Sequence, residues 1–337
     1  MMATLVITNG DSAADLLNAA NLAGDCLIVW RDLLHEGPVI DTGDLTALSA
    51  SRAAFIASDH ACAIDQDQGL VRSDFTQRNA AFRRHHAFDT IELWVEHDLY
   101  DQLQLLQILT LLDRDGRHHG VTLVQAPDYL GLQTPETIGR FKALSRPLGA
   151  HDFATARRHW EAFAAGTPAS LLLAVDETRS DAFPFLGQAM LRLLAELPDT
   201  RTGLRETERL ALTCLRDHGP LNAGPLFKLY CDVEAAMFHG DASFFSRLDG
   251  LKLGPAPLIS GPTGCYADVT RDETGKPSGP YLTTAFEITE TGRRVLDGQA
   301  DATMLNGADC WFGATHITSE SVWRWDAKAR QVIPPKP

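Results

Sequence analysis

Carboxylates and histidines gather at four points in the first 130 residues, each directly after a short apolar run. Asn9-Gly10-Asp11-Ser12 follows "TLVIT", and Arg31-Asp32, with His35-Glu36-Gly37-Pro38 close behind, follows "CLIVW". Glu96-His97-Asp98 follows "IELWV", with Asp101-Gln102 one turn on, and Pro127-Asp128 follows "VTLVQ". Crowded carboxylates repel one another unless a cation or shared protons offset the charge. The pattern calls for a divalent cation, a cationic substrate group, or a carboxylate with a raised pKa serving as general base. On that chemistry Glu96, His97 and Asp32 are the catalytic candidates, and Asp11 and Asp32 the candidate metal ligands. Asp11, Ser12, Arg31, Glu36, Asp101 and Gln102 are candidate ligand contacts, with Arg31 suited to an anionic group.

Helix capping accounts for several of these acids. Asp11 or Ser12 suits the N-cap of a first helix and Asp98 that of a later one, while Asp101 falls in a first turn that favours negative charge. Capping leaves Glu96 and His97 without a role. The helix expected from Leu99 carries Leu or Ile at positions 99, 103, 105, 106, 108, 109, 111 and 112. It is apolar on nearly every face and is expected to be buried, so Asp101, Gln102 and Gln104 need partners. The first loop lacks both GxGxxG and a Walker lysine, so nothing in it supports a standard dinucleotide or P-loop site. Gly10-Asp11-Ser12 is similar to the nucleophile block of the GDSL hydrolases. The base motif that this resemblance requires has only Asp115-Gly116-Arg117-His118 to supply it, ahead of a strand, so a helix start is preferred.

Four short β-branched strands, at 4–8, 26–30, 91–95 and 121–125, alternate with helices at 11–23, 49–63, 74–86 and 99–112. Such alternation predicts an α/β fold: a Rossmann-like, mostly parallel sheet over residues 1–130. In such sheets ligands bind beyond the carboxyl ends of the strands, which is where the acids fall. Residues 131–200 read as a helical connector, with a helix start at Thr134-Pro135-Glu136 and helices at 154–165 and 182–196. Residues 201–298 read as a winged-helix-like α+β domain with three helices and a hairpin, and 299–337 as a tail packed on the body. The third helix of that domain sets Arg247 against Asp241 and Asp249. Its wing sets Arg271 and Lys276 against Asp268, Asp272 and Glu273. This charge pattern disfavours nucleic acid and favours a packing or interaction role, with Phe238, Phe244, Phe245 and Leu248 as core.

The 337 residues carry a formal net charge of −14, with 45% hydrophobic and 22% charged residues. These values fit a globular chain and oppose non-specific attraction to nucleic acid or anionic membrane. No apolar run approaches the roughly 20 residues of a membrane helix. The N-terminus lacks the basic region of a signal peptide. Six scattered cysteines without a C-x-x-C pair predict reduced thiols and a cytoplasmic location.

The stretches "NGDSAADLL", "IVWRDLLHEGPV" and "LWVEHDLYDQLQLLQIL" resemble the N-terminal domain of the bacterial DUF1835 family. "PFLGQAMLRLLAELPDTRTGLRETERLAL" and "WFGATHITSESVWRWD" are similar to the C-terminal half of its longer members. Phe312-Gly313-Ala314 stands where that family has a Gly-Gly pair. The resemblance implies a bacterial protein in which the two halves occur together; it brings no activity, cofactor or catalytic residue. The expectation from the residues is a metal-assisted hydrolase or transferase acting on a nucleotide-like or phosphorylated small molecule. The alternatives are a ligand-sensing regulator and a protein-interaction module using the winged-helix-like domain.

Overall fold

A computed structural model describes residues 2–59, 68–177 and 183–336. Its centre is a five-stranded sheet in the order β2-β1-β3-β4-β5: β1 Thr4–Thr8, β2 Cys26–Val29, β3 Thr90–Val95, β4 Val121–Gln125 and β5 Arg146–Pro147. The first four strands run parallel, and β5 pairs antiparallel at the edge. The two faces follow from the period-2 alternation of a strand. Leu5, Ile7, Ile91, Leu93, Val121 and Leu123 enter one core, while Val6, Trp94 and Val124 enter another on the opposite face.

Helix α1 (Asp11–Ala19) follows β1, while α2 (Leu45–Asp59) and α3 (Gln68–Phe82) lie between β2 and β3. Helix α1 stops short of residue 23 because Asn21 (φ 57°) and Gly24 (φ 64°) turn left-handed to lead into β2. A Cβ on Gly24 would stand 2.7 Å from the Thr4 carbonyl oxygen, so glycine is required there. Helix α3 begins six residues ahead of the expected 74 and ends at Phe82. The expected span 49–63 runs past residue 59, beyond the described residues, as does residue 182.

Helix α4 (Leu99–Arg114) is buried as its leucines require, with α6 (Ala150–Ala164) and α8 (Leu186–Leu194) packed on it. A short α5 (Pro135–Ile138) starts where Thr134-Pro135 predicted, with the Thr134 amide donating to Thr137 Oγ1 at 2.9 Å. Helix α7 (Pro168–Glu177) has no counterpart in the expected elements. Thr167-Pro168 repeats the Thr-Pro start of α5, with the Ser170 amide donating to Thr167 Oγ1 at 3.3 Å, while the "SLLLAV" run by itself reads equally as helix or strand.

Helices α9 (Glu206–His218), α10 (Ala223–Val233) and α11 (Asp241–Leu253) surround a separate core with the antiparallel pair Ile259–Ser260 and Glu287–Ile288. That core includes Phe244, Phe245 and Leu248, whereas Phe238 joins the sheet-side core instead. The tail forms two antiparallel pairs, one of which puts Phe312 against Phe163. No described helix is long and apolar enough to cross a membrane. Cys26, Cys214, Cys231, Cys265 and Cys310 are free thiols, and Cys62 lies outside the described residues.

Candidate functional site

Parallel register aligns the strand ends. Thr8 pairs with Val29 on one side and Trp94 on the other, and Trp94 pairs with Val124. The residues after β1, β2 and β3 therefore emerge level, and the strand order reverses between β1 and β3. The loop after β4 folds across this reversal. Leu130 is fully buried there and donates its amide to Glu96 Oε1 at 2.7 Å.

Beneath that loop lie three buried carboxylates, Glu96, Asp98 and Asp101, whose oxygens sit within 4.8 Å of one another. Asp98 caps α4, accepting the amides of Tyr100 at 2.8 Å and Asp101 at 3.2 Å. Asp101 accepts the side-chain amide of Asn9 and the backbone amide of Glu96, each at 2.6 Å. Among the described residues no lysine, arginine or histidine forms an ion pair with any of the three. Burial raises all three pKa values, and mutual repulsion adds to the rise at Asp98, which reaches about 8, and at Asp101. Such a group stores protons, or holds a divalent cation through oxygen ligands of the type magnesium and calcium prefer.

On the β1–β2 side of the same edge lies a cavity of about 470 Å³. Gly10, Asp11, Arg31, Asp32 and Asp74 line its polar part, and Ile56, Val71, Phe75 and Tyr100 its apolar part. Asp32 is 1% exposed; its Oδ1 accepts Arg52 Nε at 2.9 Å, and its Oδ2 has no hydrogen-bond partner. Arg52 also donates to the carbonyls of Leu33, Glu36 and Pro38 at 2.8, 2.7 and 3.1 Å, and so shapes the whole turn after β2. Tyr100 lines the cavity while its backbone amide donates to Asp98 of the trio, and burial keeps its phenol protonated.

The expected site is thus divided, and several assignments change. Asp11 and Asp32 do not form a common ligand set: Asp11 is ion-paired with Arg31 at the surface, and Asp32 is locked to Arg52. Three acids converge instead at Glu96, Asp98 and Asp101, because Asn9 draws Asp101 towards the end of β1. Neither Asp11 nor Ser12 caps α1. Gly10 occupies the N-cap, and Ser12 is exposed beside Gly131. Arg31 is held by Asp11 and by Asp74, the latter at 2.6 Å.

His97 turns away from Glu96, as successive side chains do at a strand end. Its ring lies 4.9 Å from Tyr129 and 5.9 Å from Phe185, and it lines a separate hollow with Gln188, Arg192 and Glu234. Gln102 bridges the Glu96 carbonyl at 2.8 Å and Gln125 at 3.2 Å, and Gln104 reaches the Asp32 carbonyl at 3.2 Å. These are the partners that the buried helix demanded. Glu36 faces α11 rather than the sheet edge, with its Oε1 3.5 Å from Arg247 Nη2. Sequence alone gives Asn9 no role beyond its place in Asn9-Gly10-Asp11-Ser12 and does not single out Arg52, since the long-range bonds of both reach partners 14 to 92 residues away.

No protein-family model and no curated protein matches the chain. Among solved structures it is similar to the DNA-binding, cleavage and re-ligation domain of Plasmodium falciparum topoisomerase II, with 10% identity and a TM-score of 0.49. The match covers 98% of this chain and 55% of the other, so this chain spans little more than half of that one.

Proposed function

We propose that this chain is a hydrolase or transferase that binds a nucleotide-like small molecule in the cavity at the carboxyl edge of β1 and β2. One observation carries the reading: Asp32 is among the residues lining that cavity, and its buried Oδ2 has no hydrogen-bond partner. Dinucleotide-binding α/β folds set an acidic residue about 20 positions beyond the first strand-to-helix turn, where it accepts a ribose hydroxyl. Asp32 stands at the end of β2, beyond the Gly10 turn. Phe75 and Tyr100 offer a face for a planar base, and Arg31 a cation for an anionic tail. The absence of GxGxxG argues for a single nucleoside-like unit over a dinucleotide. Glu96, Asp98 and Asp101, of which Asp98 accepts the Tyr100 amide, supply protons to this edge or recruit a divalent cation.

The resemblance to DUF1835 and the unpaired cysteines support a bacterial, cytoplasmic protein with a Rossmann-like first domain. A packing role for the winged-helix-like domain is favoured over DNA reading. Its third helix turns Arg247 towards Glu36 of the first domain and pairs Lys252 with Asp249.

Thermal-shift titration with nucleosides and nucleotides, with and without magnesium, tests the reading. A ligand at a hundredfold excess over its Kd adds about 2.7 kcal/mol, a shift of several degrees. The shift should appear in the wild type and vanish in Asp32→Asn. No shift across the panel removes the basis for a nucleotide site.

A further inference from the structure

A second cluster lies where the turn after β2 meets the loop between α10 and α11. His35 and His239 are 7% and 2% exposed, with ring centroids 5.0 Å apart. None of their four ring nitrogens has a hydrogen-bond partner. A neutral imidazole carries one N–H and one lone pair, and buried polar groups of this kind are almost always satisfied. Two adjacent rings with no satisfied nitrogen among them are a marked exception. Glu36 lies beside both, with its Oε1 3.4 Å from His239 Nδ1 and 3.9 Å from His35 Nε2.

Those separations are too long for charge-assisted hydrogen bonds, which run about 2.7–2.9 Å. They resemble the edges of a coordination tetrahedron. With metal–nitrogen and metal–oxygen bonds of about 2.0–2.1 Å, the ligand atoms lie roughly 3.3 Å apart. One atom from each of the three residues falls within 4.8 Å of the other two. Two imidazoles and a carboxylate form the donor set of many zinc sites and leave one position open. Glu36 also lines a cavity of about 760 Å³ with Arg205, Arg247 and Trp311, which provides an entry path and room for a fourth ligand.

We propose that His35, Glu36 and His239 form a zinc site that ties the turn after β2 to the loop before α11. The ligands come from both halves of the chain, so the ion fixes how the α/β half meets the α9–α11 unit. The site shares no residue with the proposed nucleotide cavity, so the two proposals fail separately. Arg247 Nη2, at 3.5 Å from Glu36, is positioned to hold the carboxylate from outside the coordination sphere.

The test uses the full chain, stripped with a chelator, dialysed and titrated with Zn²⁺ against a chromogenic competitor, then with Co²⁺ by visible spectroscopy. One equivalent of tightly bound zinc is expected, together with the intense visible bands of low-coordinate cobalt. His239→Gln and His35→Gln should each weaken zinc by more than about a hundredfold and remove the cobalt bands. Asp272→Asn, at an exposed acid outside both clusters, should leave both unchanged. Far-UV circular dichroism of each variant confirms that the fold persists. Zinc binding no tighter than that of an unrelated acidic protein, or wild-type affinity in His239→Gln, overturns the site. The two histidines are then a packing contact only.

Discussion

Asn9 and Asp101 lie 92 residues apart in sequence and meet through a 2.6 Å hydrogen bond between buried side chains. The contact joins the end of β1 to the first turn of α4 across the point where the strand order reverses. It also turns Asp101 so that its other oxygen accepts the Glu96 amide. Asp101→Ala leaves both donors buried and unpaired, at a cost of about 3 kcal/mol in urea unfolding. Asp101→Asn keeps one acceptor and should cost less. A loss below about 1 kcal/mol in the alanine variant would show that the pair does not tie these elements together.

The carboxylate trio predicts a pH dependence with a definite sign. The Asp98 pKa rises from 3.8 to about 8 on folding, so between those values the folded state binds more protons than the unfolded chain. As far as this group is concerned, stability is therefore fully present below about pH 3.8 and falls as pH rises from there towards 8. Asp98→Asn keeps a good N-cap and removes the titrating group. Melting curves in chelator-containing buffers should show that this variant flattens the decline; an unchanged slope would place the titration elsewhere.

Arg52 is fully buried and bonds Asp32 together with three carbonyls of the turn after β2. Arg52→Ala strands a buried carboxylate and should cost about 3–5 kcal/mol. Adding Asp32→Ala to that variant should recover part of the loss, since the uncompensated charge is then gone. Chemical denaturation of the two singles and the double measures the coupling, and simple additivity would refute it.

Asp11 competes with any anionic ligand for Arg31. The pair is largely exposed, so Asp11→Asn should change folding stability by less than about 1 kcal/mol. Affinity for a phosphate-bearing ligand of the cavity should rise about threefold, the effect of removing an exposed ion-pair partner worth roughly 0.6 kcal/mol. Calorimetric titration reads the change. Weaker binding would mean that Asp11 contacts the ligand itself.

Much of the framework is legible in the sequence. Each of the four parallel strands announces itself as a short β-branched run. The leucines from Leu99 onwards announce a helix covered on all sides, and Asp98 caps that helix as its type and place require. Less legible were α7, the edge strand β5 and the paired tail, whose residues show no clean period. The candidate site was legible only as a set of acids at one edge. Its grouping depended on bonds such as Asn9–Asp101 and Asp32–Arg52, which no local pattern encodes.

The sequence by itself determined that carboxylates would crowd the carboxyl edge of a parallel sheet, because strand period and helix capping act over a few residues. Only the tertiary structure decided which of them meet. Strand order, the loop laid over the β1–β3 reversal and the approach of α11 set distances between residues tens to hundreds of positions apart. Those distances pair Asp11 with Arg31 and Asp32 with Arg52, gather Glu96, Asp98 and Asp101, and bring His239 to His35.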